Sequence, residues 1–222
     1  MTDAINLFAD NDPQTISTAV QLLLLLTVLA IAPSILILLT SFTRIVIVLG
    51  FVRTSLATQQ MPPNQVIIGL ALFLTFFIMA PTFGQVYDEA LDPLFSEEIT
   101  LDEAYERASV PFKEFMSKHT RQKDLALFLD YSGAESPSSV EDIPLSALIP
   151  AFAISELKTA FQMGFMIFIP FLVIDMAVAS VLMSMGMMML PPVMISLPFK
   201  ILLFVVVDGW HLVTHSLLDS FF

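Results

Sequence analysis

Hydrophobic positions in this chain gather into long runs rather than the short alternations of a half-buried sheet. The first run, residues 16–40 (ISTAVQLLLLLTVLAIAPSILILLT), is apolar on every side. At about 1.5 Å per residue it is long enough to cross a hydrocarbon layer about 30 Å thick. Pro33 is expected to kink it. Residues 41–60 continue as a less apolar helix bearing Arg44 and Arg53, MPPN makes a turn, and a second span occupies residues 64–80, with Pro81 expected to end it. After a polar stretch, residues 151–183 are again apolar, interrupted by Glu156, Lys158, Gly164, Pro170 and Asp175. VLMSMGMMMLPPVM at 181–194 turns the chain, and residues 194–222 close it with Lys200 and Asp208 inside a greasy run.

This pattern predicts an all-α fold of two long helical hairpins separated by a small helical polar insert. Residues 1–14 form an N-terminal tail, 15–81 the first hairpin, 82–150 the insert and 151–222 the second hairpin. Both hairpins turn at a proline pair, QQMPPN and MMMLPP, a weak sign of internal duplication. Within the insert, Thr100 and Glu103 make a capping box, a second helix is expected from Pro111 to a stop at Gly133, and SGAESPSSVEDIP reads as a linker. The insert is best read as a helical cap that helps subunits pack.

Composition places the chain at a membrane. It is 56% hydrophobic and only 14% charged, with a mean hydropathy of +0.83. Residues 88–142 hold fourteen of the twenty-one acids and five of the nine bases, so the net charge of −12 belongs mostly to the insert and argues against a nucleic-acid partner. With no cysteine there is no disulfide, thiolate metal site or cysteine nucleophile. The bases Arg44 and Arg53 place residues 41–63 on the cytoplasmic side and the insert outside, together with the N-terminus. No Lys or Arg precedes Arg44, so no signal peptide is visible, and the expectation is either that the sequence begins at or near a mature end or that the positive-inside rule fails here.

Charges inside the apolar halves need answers, since an ionised side chain at mid-bilayer costs about 2.5–3.5 kcal/mol on insertion scales. Arg44, Glu156, Lys158, Asp175, Lys200 and Asp208 are the candidates for salt bridges between helices or subunits. Glu156 and Lys158 point about 200° apart around a helix and cannot pair, so each must meet another helix or chain. Asp175 and Lys200 stand at similar heights on the two arms of the second hairpin and can pair across it or between subunits. Ala160/Gly164 and Ser180/Ser184 have the small-xxx-small spacing that brings helices close.

Catalytic signatures are missing: there is no phosphate loop, nucleophile elbow or dinucleotide motif, and no cofactor is called for. His211 and His215 share a helical face, but Leu212 stands where a zinc protease carries its glutamate. Trp210 beside them reads as an interfacial anchor, and a zinc hydrolase is a remote reading. The methionines of the turn are the sharper feature, because unbranched, deformable side chains at a rigid turn suit a surface that must fit more than one partner or shape.

LTSFTRIVIVLGFVRTSLATQQMPPNQV (39–66), TRQKDLALF (120–128) and the stretch from AFAISELKTAFQMGF through MSMGMMMLPPVM to VVVDGW (151–210) closely resemble the FliP family of flagellar biosynthesis proteins. The resemblance implies a non-enzymatic subunit of the type III export gate in the bacterial inner membrane at the flagellar basal body. It implies a homopentamer, in a helical ring-like assembly with FliQ-like and FliR-like subunits and neighbouring FlhB-like and FlhA-like components, that passes unfolded flagellar substrates. It implies further that Met187, Met188 and Met189, with Met185 beside them, line a gasket closing the pore, and that Glu156, Asp175 and Lys200 bridge subunits. It also expects the assembled gate to stand raised toward the periplasm rather than as four plain spans. The alternative is a small-solute or proton-coupled transporter, suggested by proline-broken hairpins with acids in apolar helices.

Overall fold

The computed structural model describes residues 13–222 apart from 59, 133–136, 138 and 188. Its regular structure is helical, with no strand among the described residues. The chain divides into two units between residues 37 and 38. The first is the greater part of helix α1 (Pro13–Leu39), which contains Pro33 without ending there. Leu26, Leu29 and Ile31 are exposed on it and no charged residue interrupts it, as suits a helix surrounded by lipid or by other apolar helices.

The second unit is built around α2 (Phe42–Ser55), a helix less apolar than α1. Ile45, Val48, Leu49 and Val52 recur at i, i+3, i+4 and i+7 and are all buried. They share one core with Ile67, Ala71, Leu74 and Ile78 of α3 (Asn64–Val86) and with Ala160 and Phe171 of α7 (Leu145–Ser184). Residues 42–55 are therefore the centre of the packing rather than a connection between spans.

Several boundaries differ from the sequence expectation, each for a physical reason. Pro81 does not end α3, which runs on to Val86 and then through a π-helical turn (Tyr87–Leu91) into the short α4 (Asp92–Phe95). A proline inside a helix costs about 3 kcal/mol; burial of Ile78, Met79 and Thr82 around it offsets that cost. The capping box forms at the start of α5 (Leu101–His119), with Thr100 N–H donating to Glu103 Oε2 at 2.9 Å. Pro111 starts no new helix, because it is buried within α5 five residues before the buried Met116. The break comes instead at Thr120, whose ψ of 132° turns the chain so that Arg121 N–H reaches Ser155 Oγ at 3.1 Å. α6 (Gln122–Ser132) follows, and the expected stop at Gly133 lies outside the described residues.

α7 begins six residues earlier than position 151, since Ala147 and Leu148 are already buried, and Leu148 joins Met116, Ile143 and Phe152 in a second small core beneath the insert. Its 40 residues make it about 60 Å long. The last apolar run is broken in two, α8 (Pro192–Val206) and α9 (Gly209–Asp219), at an angle of 62°. Asp208 makes the break, in the left-handed region with φ 51° and ψ 55°. Two unbroken helical stretches, Asn64–Phe95 and Leu145–Ser184, are long and apolar enough to cross a membrane.

The small-xxx-small pair Ala160/Gly164 is where α2 lies on α7. A Cβ on Gly164 would stand 2.4 Å from the Phe51 ring, which itself packs edge-on to Phe161 with centroids 5.4 Å apart. Ser180 and Ser184 face outward and bond back to their own helix at Met176 O and Val181 O. Gly164→Ala should therefore lower stability by about 1–3 kcal/mol through overpacking. Thermal melts in detergent should show this loss, and Gly164→Ala should cost less in a Phe51→Ala background than in the parent, while Ser184→Ala stays near the parent.

Candidate functional site

Two buried ionic clamps hold α2, one at each end. At its first turn Arg44 is 3% exposed and Glu156, reaching over from α7, is 0% exposed. Arg44 Nε donates to Glu156 Oε2 at 2.8 Å and Nη2 donates to Oε1, a bidentate fork that only a guanidinium supplies. Nη1 is spent on the chain end, donating to both the carbonyl and the hydroxyl of Ser220 at 2.9 Å, and the guanidinium carbon stands 3.8 Å from the centre of the Phe221 ring. Phe221 in turn stacks on Phe115 of the insert and meets His119 edge-on at 5.1 Å. One arginine thus ties α2, α7 and the C-terminal residues together, next to the insert.

At the other end of α2, Lys200 of α8 is buried and donates from Nζ to Asp175 Oδ2 on α7 at 2.6 Å and to the Ser55 carbonyl at 3.2 Å. Ser55 belongs to the last turn of α2, whose carbonyls have no helical partner and carry the negative end of the helix dipole. Ser196 Oγ, one turn before Lys200, donates to the second oxygen of Asp175. Of the six charged candidates, four are thus brought together as two pairs within one chain. Lys158 is exposed, and Asp208 is an exposed helix break; neither forms an ion pair among the described residues. Asp208 lies where it does because Asp tolerates left-handed backbone and offers its carbonyl to Leu212 N–H at 3.1 Å.

Ser55, Ser196, Ser220 and Phe221 complete these clamps without having stood out in the sequence. Only the Ser196/Lys200 spacing of four carried a signal, placing a hydroxyl and an ammonium on one helical face. Arg121 is a further unanticipated member. It crosses from the start of α6 to α7, donating from Nη2 to Gln162 Oε1 at 2.7 Å, while Ser155 Oγ donates to Asp124 at 2.7 Å.

The methionine turn opens from a well-formed helix end. Gly186, at φ 74°, donates its N–H to the Met183 carbonyl, and Met187 N–H reaches the Leu182 carbonyl, both at 3.0 Å. This pair of bonds stops α7 with a residue that glycine supplies without steric penalty. Met185 and Met189 are exposed, Met189 by 98%, and Met187 by 38%; Met188 lies outside the described residues. The histidine pair of α9 has its rings 5.9 Å apart, and His215 Nδ1 lies 2.7 Å from Asp219. Trp210 packs edge-on against Phe204 at 5.3 Å and remains partly exposed.

Apolar helices whose buried charges are turned inward and answered helix to helix define an integral membrane protein. The sequence profile of the FliP family matches residues 25–217. The flagellar biosynthetic protein FliP of Bacillus subtilis (strain 168) is 72% identical over 221 residues, covering 100% of both chains. The protein of the same name from Caulobacter vibrioides is 55% identical over 98% of this chain and 82% of its own. That from Aquifex aeolicus is 52% identical over 91% of this chain and 86% of its own. The chain belongs to the FliP family of flagellar biosynthetic proteins.

Two outcomes follow from the first clamp. Glu156→Ala strands a buried guanidinium and should cost about 3–5 kcal/mol, whereas Arg44→Met/Glu156→Leu, which removes both charges, should recover most of it; denaturation in detergent measures both. Nearby, burial pushes the His119 imidazole down to about 4, and Arg44 and Lys118 act in the same direction. The unfolded imidazole takes up its proton near pH 6.5. Stability is therefore full above about pH 6.5 and declines as pH falls toward 4, because the unfolded chain binds the proton first. His119→Gln should flatten that decline in melting temperature.

Proposed function

We propose that this chain is a pore-forming subunit of the flagellar type III protein export gate, passing unfolded flagellar substrates across the bacterial inner membrane. The observation that carries this reading is the methionine turn: a glycine-capped helix end presenting exposed thioethers, with the Lys200–Asp175 clamp holding the two arms of its hairpin together. A pore for varied unfolded chains must seal against water and ions yet yield to each chain. A ring of unbranched, uncharged side chains meets both demands, where a ring of leucines would yield less readily.

In this reading several copies, five as the family resemblance implies, join FliQ-like and FliR-like subunits at the basal body, with FlhB-like and FlhA-like components alongside. Met185, Met187, Met188 and Met189 of each copy form the gasket, and the insert lies on the periplasmic side. The apolar residues exposed along α7, among them Phe161, Phe165, Met166 and Val173, supply the contact faces for neighbouring helices. No reaction is catalysed.

Replacing Met187, Met188 and Met189 together with alanine should leave the mass of the assembled complex unchanged while raising ion leakage through the closed gate in planar-bilayer recordings. A conductance equal to that of the parent would reject the gasket.

A further inference from the structure

Arg53 is the cation of α2 that no carboxylate answers among the described residues. It is half-buried, and its Nη1 donates to the neutral Asn64 Oδ1. Arg44 and Lys200, its counterparts in the apolar helices, each meet an acid. Two clefts open on Arg53: one of about 390 Å³ bounded by Gln60, Pro63, Asn64 and Gln65, and one of about 340 Å³ bounded by Thr54, Ala57, Thr58 and Val193. Apart from Pro63 the first is lined by polar side chains, with no acid among the described residues. Along the same loop lies a pocket of about 140 Å³ walled by Leu49, Pro62, Val66, Ile67, Leu70 and Trp210. The two linings alternate along the chain, Pro62 and Val66 facing the apolar pocket and Pro63, Asn64 and Gln65 the polar cleft.

A charged cleft beside an apolar pocket, at the end of a membrane hairpin, has the polarity of an amphiphile. We infer that this hairpin end binds a phospholipid of net negative charge, with its phosphate on Arg53 among the side-chain amides of Gln60, Asn64 and Gln65 and its acyl chain entering the pocket beside Trp210. An arginine's planar fork suits a phosphate, and a basic residue near a membrane surface attracts anionic lipid. Free phosphate shares the headgroup chemistry but leaves the apolar pocket unfilled. The inference rests on the membrane placement above.

Trp210 is the sole tryptophan of the chain and walls that pocket, so its fluorescence reports there with no other indole contributing. The full-length chain is reconstituted in phosphatidylcholine vesicles carrying a small fraction of either phosphatidylglycerol or phosphatidylcholine brominated on its acyl chains. Brominated phosphatidylglycerol should quench Trp210 at about fivefold lower mole fraction, the preference expected of one basic residue for an anionic lipid. Arg53→Gln should abolish the preference while leaving quenching by brominated phosphatidylcholine as it was, which shows the variant to be folded and inserted. Excess inorganic phosphate should change nothing. Equal quenching by both lipids in the parent, or a preference that survives Arg53→Gln, would overturn the site while keeping the membrane placement. Relief of quenching by phosphate would replace the lipid with a soluble anion and overturn it too. Absence of quenching by either lipid would remove the membrane placement as well.

Discussion

The arrangement of the second unit depends on the Arg44–Glu156 pair. A guanidinium and a carboxylate withdrawn this far from water are tolerable only when each remaining donor and acceptor is met, and here the fork, the Ser220 carbonyl and hydroxyl and the Phe221 ring meet them. The requirement fixes more than energy. Slip α2 by one residue along α7 and the fork misses its carboxylate, so the pair sets the register at which Ile45, Val48, Leu49 and Val52 enter the core. Hydrophobic packing alone would specify that register less sharply, because neighbouring greasy faces resemble one another.

The Lys200 clamp repeats this logic at the far end of the same helix. Glu156 and Asp175 are nineteen residues apart on α7, about 28 Å of helix, close to the thickness of a hydrocarbon layer. The same helix therefore carries one ionic partner near each end of a membrane-thick segment, and between them the contact with α2 is made by small residues, Ala160 and Gly164, that let the backbones close in. Ionic groups determine where the helices stop sliding; small residues determine how near they come.

Much of this was legible in the sequence. The helical class, the two proline turns, the capping box at Thr100 and the Asp175/Lys200 match were each readable from spacing, because local periodicity and capping chemistry act over a few residues. The FliP resemblance was readable from long motifs. What was not legible is long-range. Arg44 and Glu156 lie 112 positions apart, and nothing local distinguishes the Glu156 that is buried from the Lys158 that is exposed. Hydropathy is also no guide to which helix is central: α1, apolar on every side, exposes Leu26 and Leu29, whereas the less apolar α2 forms the core. In a protein whose surroundings are themselves apolar, water no longer decides which face is inside; the need to satisfy charge does. The break at Asp208 was missed for a related reason, since an acid in a greasy run reads as half of an ion pair rather than as a corner.

The length of α7 carries its own implication. About 60 Å of helix is twice what a bilayer can cover, and Phe161, Phe165, Ile169, Val173 and Met176 remain uncovered along it. The first turns of that rod are roofed by the insert, with Leu148 and Phe152 packed on Met116 and Ile143, so the bare flank is the stretch from Leu157 onward, about 40 Å that lipid or another apolar helix must clothe.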